Sequence, residues 1–185
     1  MPMYFYIPQN AWGLVDQEHY ATVGFYSQPG GACRPVALWC EAAQRGAYTH
    51  FDGNEQAVSE NLAAWLAGDS DASIVNVYAN DAEHAVDIQN QILTTGVCQA
   101  AVVADANPEE YWGCHFTEAG PEWVDDTDIP AEEKTRTPAS WSDYWPGAPT
   151  WMETGAFTGA IVAPLAGFIA NYNGRFYFDF AEDQD

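Results

Sequence analysis

Residues 73–104, SIVNVYANDAEHAVDIQNQILTTGVCQAAVVA, contain the clearest succession of secondary-structure patterns in the chain. The opening SIVNVYA and the closing VCQAAVVA are rich in β-branched and apolar residues, which predicts two strands. Between them, Asn80 as N-cap, Glu83 three residues later and Gly96 as C-terminal cap delimit a predicted helix. The stretch therefore predicts a β-α-β unit, whose strands pair in parallel through a right-handed crossover.

The predicted helix of this unit has an apolar face that we expect to pack on the sheet. Asp81 and Glu83 lie near its N-terminus, where the helix dipole stabilises a carboxylate by about 0.3–1 kcal/mol. These two acids therefore have a structural explanation that requires no ligand. The residues assigned to the buried face are Ala82, Ala85, Val86, Ile92 and Leu93.

The N-terminal part of the chain predicts strands followed by helices. MYFYI at residues 3–7 and HYATVGFYS at 19–27 are rich in aromatic and β-branched residues, which predicts a hairpin or meander joined by a loop. VALWCEAAQR at 36–45 predicts a short helix. DGNEQAVSENLAAWLAG at 52–68 predicts another, with a capping box at its start and a glycine cap at its end; these positions are Asp52, Glu55 and Gly68.

The C-terminal part begins with one predicted strand at 111–117 and continues as an acidic, proline-interrupted loop over about 117–150. GFIANY, the pair Asn173-Gly174 and RFYFDF then predict a hairpin with a two-residue type I′ turn. Three aromatic side chains alternate onto one face of its second strand: Phe176, Phe178 and Phe180.

Together these segments predict a single α+β domain over residues 1–185. The expected architecture is a mixed or antiparallel sheet with one β-α-β unit, two to three helices, the C-terminal β-hairpin and the long acidic loop. A length of 185 residues and a hydrophobic content of 48% are sufficient for one ordinary core. No internal repeat and no Pro, Gly or Ser linker divides the chain.

The chain is strongly acidic, with 27 Asp and Glu against 5 Lys and Arg and a formal net charge of −22. This exceeds the magnitude of about 2–8 that keeps a small domain soluble. Residues 46–133 contain 18 acids and no Lys or Arg, so these carboxylates repel one another within their own interval. Such a field repels nucleic acids and anionic membranes, and it favours a basic partner.

The sequence contains no recognisable targeting or membrane segment. The N-terminal MPMYFYIPQNAWG lacks a basic region and a continuous apolar region, so we expect a cytoplasmic protein. Residues 154–174 are uncharged, but their Thr, Asn and central Pro argue against a membrane span. Without an export signal, the four cysteines are expected to be reduced thiols: Cys33, Cys40, Cys98 and Cys114.

No motif predicts a catalytic residue, a metal or a cofactor. The spacings of structural zinc sites are absent, which leaves a site built from Cys98, Cys114 and His115 only as an alternative. Neighbouring strand residues point to opposite faces, so Cys114 and His115 do not form a nucleophile–base pair. Asp105, Glu109 and Glu110 could bind a divalent cation after a strand, but no glycine-rich phosphate loop accompanies them.

The segment 121–147 combines acids with aromatic residues that can anchor a protein interface, and Trp151 follows it. In composition and size the chain resembles the small acidic nucleic-acid mimics that phages and mobile elements deploy against restriction or CRISPR systems. The resemblance implies a non-enzymatic inhibitor that blocks the basic nucleic-acid-binding surface of a defence complex in the host cytoplasm. The predicted partner-binding residues are Asp69, Asp71, Asp105, Glu109, Glu110, Glu122, Trp123, Asp125, Asp126, Asp128, Glu132, Glu133, Trp141, Tyr144 and Trp145.

Two alternatives to a nucleic-acid mimic follow from the same composition. An immunity protein that neutralises a basic nuclease toxin would use the same charge against a narrower target. An ordinary enzyme or structural protein of a salt-adapted organism would also be acidic. The eight Trp and the confinement of the cation-free interval to part of the chain fit the last alternative less well.

Overall fold

The computed structural model describes residues 2–7, 11–29, 32–51, 53, 57–58, 60–68, 73–104, 110–134 and 177–180. In these residues the chain has an α+β fold of two mixed sheets and two α-helices. The elements are β1 Met3–Tyr6, β2 Ala11–Asp16, β3 Val23–Tyr26, β4 Arg34–Cys40, β5 Arg45–Phe51, α1 Glu60–Ala67, β6 Ile74–Ala79, α2 Ala82–Thr95, β7 Ala100–Val103, β8 Gly113–Thr117, β9 Gly120–Val124 and β10 Tyr177–Phe180. Short 3-10 helices cover Gln17–His19 and Ala131–Glu133.

The β-α-β unit predicted from residues 73–104 is present as β6, α2 and β7. The two strands pair in parallel, with Ile74 aligned with Ala100. Gly96 ends α2 in the left-handed conformation, at φ 70°, as predicted. The predicted N-cap is wrong by one residue, because Asp81 in extended conformation accepts the backbone N–H of Glu83 and of His84 at 2.8 and 3.2 Å. The charged carboxylate of Asp81, one position closer to the helix, makes these bonds in place of the Asn80 amide.

The buried face of α2 is also rotated from the prediction. Ala85 and Ile92 are buried as expected, together with Ile88, but Val86 and Leu93 are 44% and 45% exposed. Each follows a buried residue by one position, which turns its side chain by about 100° around the helix axis. The prediction for Val86, for Leu93 and for the exposed Ala82 is therefore wrong.

The predicted helix at residues 36–45 is a β-hairpin. β4 and β5 pair antiparallel through the turn Glu41–Gln44, whose last residue has φ 50°. Residues from Val36 to Cys40 are all buried because the strand lies inside the sheet with both faces covered. A continuous apolar run of this length does not distinguish a buried strand from a buried helix segment.

The N-terminal strands do not form the predicted hairpin. β1 and β3 pair in parallel, while β2, which lies in a segment predicted as a loop, belongs to the other sheet. The helix predicted at 52–68 is present from Glu60 to Ala67, and the predicted capping-box residues Asp52 and Glu55 lie outside the described residues. Its end is confirmed, because Gly68 has φ 62° and its N–H donates to the carbonyl of Ala64 at 3.1 Å.

The predicted strand at 111–117 is confirmed as β8, but the irregular loop expected from 117 contains β9. This strand pairs antiparallel with β8 through a two-residue turn. Its sequence GPEWV disfavours a strand because proline cannot donate to a ladder, yet the edge position of β9 tolerates Pro121. Residues 135–150 lie outside the described residues.

The C-terminal strand predicted from RFYFDF is confirmed as β10 over Tyr177–Phe180. It pairs antiparallel with β2, and Phe178 aligns with Gly13. The Asn173-Gly174 turn, the preceding strand and the uncharged residues 154–174 lie outside the described residues. Neither α1 nor α2, the helices in the described ranges, is long and apolar enough to cross a membrane.

The described elements stack in three layers: a four-stranded sheet of order β1-β3-β8-β9, a six-stranded sheet of order β10-β2-β5-β4-β6-β7, and the two helices. Successive side chains of β5 point to opposite faces of the large sheet, and their contacts show the order of the three layers. Tyr48 stacks on Phe25 of the small sheet, whereas Arg45 lies over Trp65 of α1 and Phe51 contacts His84 of α2. The large sheet therefore lies between the small sheet and the helices.

Glycines in the large sheet allow the two sheets to approach closely. A Cβ on Gly13 would lie 2.5 Å from two ring carbons of Phe25 and 2.8 Å from Ile7. A Cβ on Gly46 would likewise collide with the ring of Phe116. Phe25 and Phe116 are at most 1% exposed, so each glycine provides the space for one aromatic ring of the small sheet.

At the other side of the large sheet, α2 covers the outer edge of β7. The Ala104 N–H donates to the Val77 carbonyl, so by alternation the backbone groups of Ala101 point away from β6. The Gln89 Nε2 of α2 donates to the Ala101 carbonyl at 2.7 Å. A side-chain amide therefore occupies an acceptor that an edge strand otherwise exposes.

Replacing Asp81 by Ala is expected to lower the free energy of unfolding by about 0.5–2 kcal/mol, because two N–H groups of α2 lose their acceptor. Asn80→Ala is the matched control. Asn80 Oδ1 is buried and makes no hydrogen bond within the described part of the chain, so this change is expected to cost less. Urea unfolding of both variants measures the difference, and a larger loss for Asn80→Ala would contradict the observed cap.

Replacing Gly13 by Ala is expected to cost about 1–3 kcal/mol, because the added methyl overlaps the Phe25 ring. Phe25→Leu in the same chain removes the overlapping ring atoms. The double variant is therefore expected to lose less stability than the sum of the two single changes, by about 0.5 kcal/mol or more. Urea unfolding of all four proteins tests this, and strict additivity would show that the sheets are not in contact here.

Candidate functional site

The face of the small sheet that points away from the large sheet, called here the outer face, contains an arrangement of polar side chains. Alternation along β8 places Cys114 and Phe116 in the core between the sheets and His115 on the outer face. The predicted separation of Cys114 and His115 onto opposite faces is thus confirmed. Burial raises the pKa of the Cys114 thiol well above its usual range, with a further contribution from Glu122, so this cysteine remains a protonated core residue.

Three outer-face side chains form a linear hydrogen-bonded array. The Tyr4 hydroxyl of β1 lies 3.1 Å from His115 Nδ1, and His115 Nε2 lies 3.2 Å from Glu122 Oε2 of β9. Burial, and then the charges of Cys114, Glu133 and Glu122, raise the pKa of Tyr4 to about 12, so the phenol donates. With the phenol as the donor to Nδ1, the imidazole donates from Nε2 to Glu122.

The array orients His115 but does not activate a nucleophile. Tyr4 is only 5% exposed, and its raised pKa disfavours the phenolate that would be needed for attack. Glu122 is 61% exposed at its side chain and presents a carboxylate to the solvent. The arrangement is suited to holding a carboxylate in a fixed position on the surface.

Residues 125–134, called here the acidic strap, follow β9 and pack on the outer face. Ile129 is buried with Tyr4 and Tyr26 in a small apolar cluster. Asp125 accepts both the backbone N–H and the hydroxyl of Thr127, at 2.9 and 2.8 Å, and these bonds lower its pKa. Asp125 therefore stabilises the turn that starts the strap.

Lys134 anchors the other end of the strap. Its ammonium lies 5.3 Å from the ring centre of Tyr26 and donates to the Asp126 carbonyl, and its backbone forms a bridge with Tyr4. Burial raises the pKa of Asp126, although Lys134 opposes that shift. Lys134, the one Lys or Arg of the strap, thus holds the strap against the outer face of the small sheet.

The other basic side chains in the described ranges also bind backbone carbonyls. Arg34 donates to the Cys33 carbonyl at 2.7 Å and lies 3.6 Å from Glu110. Arg45 donates to the Trp65 carbonyl and lies over its indole ring. Residues 110–134 contain eight carboxylates and one Lys, so the positive charge that surrounds them falls far short of neutralising them.

A groove of about 420 Å³ lies beside the array where β8 ends, and residues from both faces of that strand line it. Its walls combine apolar atoms with polar groups, and at one end Gln17 Nε2 donates to Glu118 Oε1 at 3.3 Å. Phe116 and Tyr20, which pack with their rings 6.2 Å apart, form part of its lining. The complete lining is Pro2, Gln17, Tyr20, Ala21, His115, Phe116, Thr117 and Glu118.

The predicted partner-binding residues that the structure describes fall on β9, the strap and the residue before Tyr111. Glu122 lies beside His115, and the charges of Glu122 and Glu133 both raise the pKa of Tyr4. Asp128 and Glu132 are exposed on the strap, while Glu110 lies apart, near Arg34. The others lie outside the described residues: Asp69, Asp71, Asp105, Glu109, Trp141, Tyr144 and Trp145.

Trp123 points to the opposite side from Glu122. It packs on the core between the sheets, with its ring 6.3 Å from that of Tyr48. Its neighbour in β8 is Cys114, which is fully buried. Trp123 therefore does not contribute to the outer face.

Sequence reasoning did not identify Tyr4 or the groove. The alternation of residues 113–117 indicated that His115 lies on the face opposite Cys114, but its partners come from positions 4 and 122, which only the sheet order brings together. No group of three or more His, Cys, Asp or Glu in the described portions of the chain is arranged to hold a metal ion. Cys98 lies against the Ala63 carbonyl of α1, on the other side of the large sheet from His115.

No protein-family model matches the chain. No curated protein matches it at a significant level.

The free energy of unfolding is expected to fall as the pH rises from 10 to about 12. In the unfolded chain the phenols ionise near 10, whereas burial raises the pKa of Tyr4 and of Tyr20 to about 12 in the folded state. The unfolded state therefore loses protons first, which favours unfolding over this window. Tyr4→Phe is expected to reduce the loss. Urea unfolding between pH 9 and 11.5 measures it, and identical pH profiles for the two proteins would contradict the assignment.

Proposed function

We propose that the acidic outer face, formed by Glu122 and the exposed acids of the strap, binds the basic nucleic-acid-binding surface of another protein and competes there with nucleic acid. The function is non-enzymatic, and a defence complex such as a CRISPR effector or a restriction enzyme is the proposed target. The observation that carries the proposal is that Lys134 of the strap is bound to the Asp126 carbonyl and lies over the Tyr26 ring, while Asp128 and Glu132 of the same strap are exposed. Within the described residues, Lys134 is therefore not available to neutralise the exposed acids of the strap.

The geometry supports recognition more than simple solvation. Glu122 is held by His115, and the strap is fixed by Asp125 at its start and by Lys134 at its end. Carboxylates on a fixed scaffold lose little conformational entropy when a partner binds. Solvation of an acidic protein requires no such fixation.

The density of negative charge on this surface is also the reason for proposing a partner that binds nucleic acid. Duplex DNA carries one negative charge per about 1.7 Å of its axis, so its binding proteins present dense Lys and Arg surfaces. An array of exposed carboxylates complements the same surface and accelerates the encounter by electrostatic steering. An immunity protein directed against a basic nuclease would use the same contacts, and the identity of the captured partner distinguishes the two functions.

A matched pair of charge-reversal variants tests the proposed surface. The outer-face variant carries Glu122→Lys, Asp128→Lys and Glu132→Lys. The control carries Glu60→Lys, Glu83→Lys and Asp87→Lys on the helices, which lie on the other side of the large sheet. Both have the same net charge, and neither alters Asp125 or Lys134, which stabilise the strap.

The immobilised proteins are incubated with a lysate of the source cell, and bound proteins are released with duplex DNA and identified by mass spectrometry. We expect the wild type and the control to retain a nucleic-acid-binding protein that DNA releases, and the outer-face variant to bind it at least about tenfold more weakly. Equal losses of binding in the outer-face variant and the control would contradict the proposed surface, because total charge alone would then determine binding. Retention of a partner that DNA does not release would contradict competition with nucleic acid.

A further inference from the structure

The groove beside the array of Tyr4, His115 and Glu122 is large enough to receive one amino-acid side chain. Its volume of about 420 Å³ exceeds what one amino-acid side chain requires and falls within the usual range of about 300–1,000 Å³ for ligand clefts. Pro2 and Ala21 contribute apolar atoms to its lining. These apolar walls can pack against the methylene groups of a long side chain.

The polar end of the groove is acidic. Glu118 is exposed and accepts one hydrogen bond from Gln17 at 3.3 Å. A carboxylate has about four acceptor positions, so it can still receive a bidentate donor. The described lining residues include no Lys or Arg that would compete for Glu118.

Other groups of the groove are neutral or already oriented. Burial raises the pKa of Tyr20 to about 12, so its phenol remains uncharged. His115 is held between Tyr4 and Glu122, and Thr117 Oγ1 donates to the Gly120 carbonyl at 3.1 Å. The electrostatic preference of the groove is therefore set by Glu118, and it is for a cation.

We infer that the groove receives an arginine side chain of the basic partner, with the guanidinium on Glu118 and the methylene stem along Pro2 and Ala21. This inference rests on the proposed function, since it specifies one contact of the same surface. Arginine fits better than lysine because its planar fork can bond both carboxylate oxygens and is more weakly hydrated. Arginine is also abundant on surfaces that bind phosphates and guanine edges.

Fluorescein-labelled nona-arginine and nona-lysine peptides, which carry equal charge, are the probes. At low salt we expect the wild type to bind the arginine peptide about tenfold more tightly by fluorescence anisotropy. Ala21→Phe fills the groove without changing the charge, and Ala21 is an exposed turn residue. This variant is expected to lose the arginine preference while its affinity for the lysine peptide stays unchanged.

A second pair of variants removes one carboxylate each and leaves the space of the groove unchanged. Glu118→Gln is expected to abolish the arginine preference, whereas Glu132→Gln on the strap is expected to weaken both peptides equally. If circular dichroism shows that the Ala21→Phe variant is not folded, the comparison of Glu118→Gln with Glu132→Gln alone tests the origin of the arginine preference.

The outcomes separate the two proposals. Binding of neither peptide by the wild type at low salt would overturn the acidic binding surface and the groove together. Equal binding of both peptides, unaffected by Ala21→Phe and by Glu118→Gln, would overturn the groove and leave the acidic surface standing. Loss of the arginine preference in those two variants, with Glu132→Gln retaining it, supports the groove.

Discussion

The close contact between the two sheets is the constraint on which the rest of the molecule depends. Phe25 and Phe116 of the small sheet pack where Gly13 and Gly46 of the large sheet have no side chains. With these rings facing inward, strand alternation requires that the neighbouring residues of β3 and β8 face outward. His115 reaches the outer face because Phe116 is in the core, and Glu122 then lies beside it because β9 is aligned with β8. The polar array is thus a geometric consequence of where the aromatic residues pack.

The described basic side chains show how such an acidic chain uses its few cations. Arg34, Arg45 and Lys134 each donate to a backbone carbonyl, and two of them also lie over aromatic rings. Exposed ion pairs contribute little to stability, whereas a cation that satisfies a carbonyl and covers a ring fixes a local structure. Stability in the described part comes mainly from the large apolar core, and the repulsion among carboxylates is tolerated. A fold stabilised in this way tolerates a surface whose negative charge the described basic side chains do not neutralise.

Local patterns allowed the β-α-β unit, strand β8, the end of α1 and the strand β10 to be predicted. The errors occurred where burial or sheet order overrides a local pattern. Val36–Cys40 are apolar throughout because both faces of β4 are covered, so no period marks the strand. Pro121 obscured β9, although an edge strand accommodates it. The acids of the outer face were identified from composition, but the pairing of Tyr4 with His115 was inaccessible because it depends on a parallel contact between β1 and β3.

The Gln89 amide on the Ala101 carbonyl has a consequence for self-association. β7 is the end strand of the described large sheet, and Val102 and Val103 on it are 44% and 38% exposed, a combination that invites amyloid-like stacking. In dilute buffer the net charge keeps copies of the chain apart, but this protection acts over only about 8–10 Å at physiological ionic strength and weakens further in concentrated salt. A hydrogen bond to the edge carbonyl is a short-range barrier that salt does not screen. Among the described residues, two effects therefore oppose pairing at the edge of β7: the net charge, which salt screens, and the bond from Gln89, which salt does not screen.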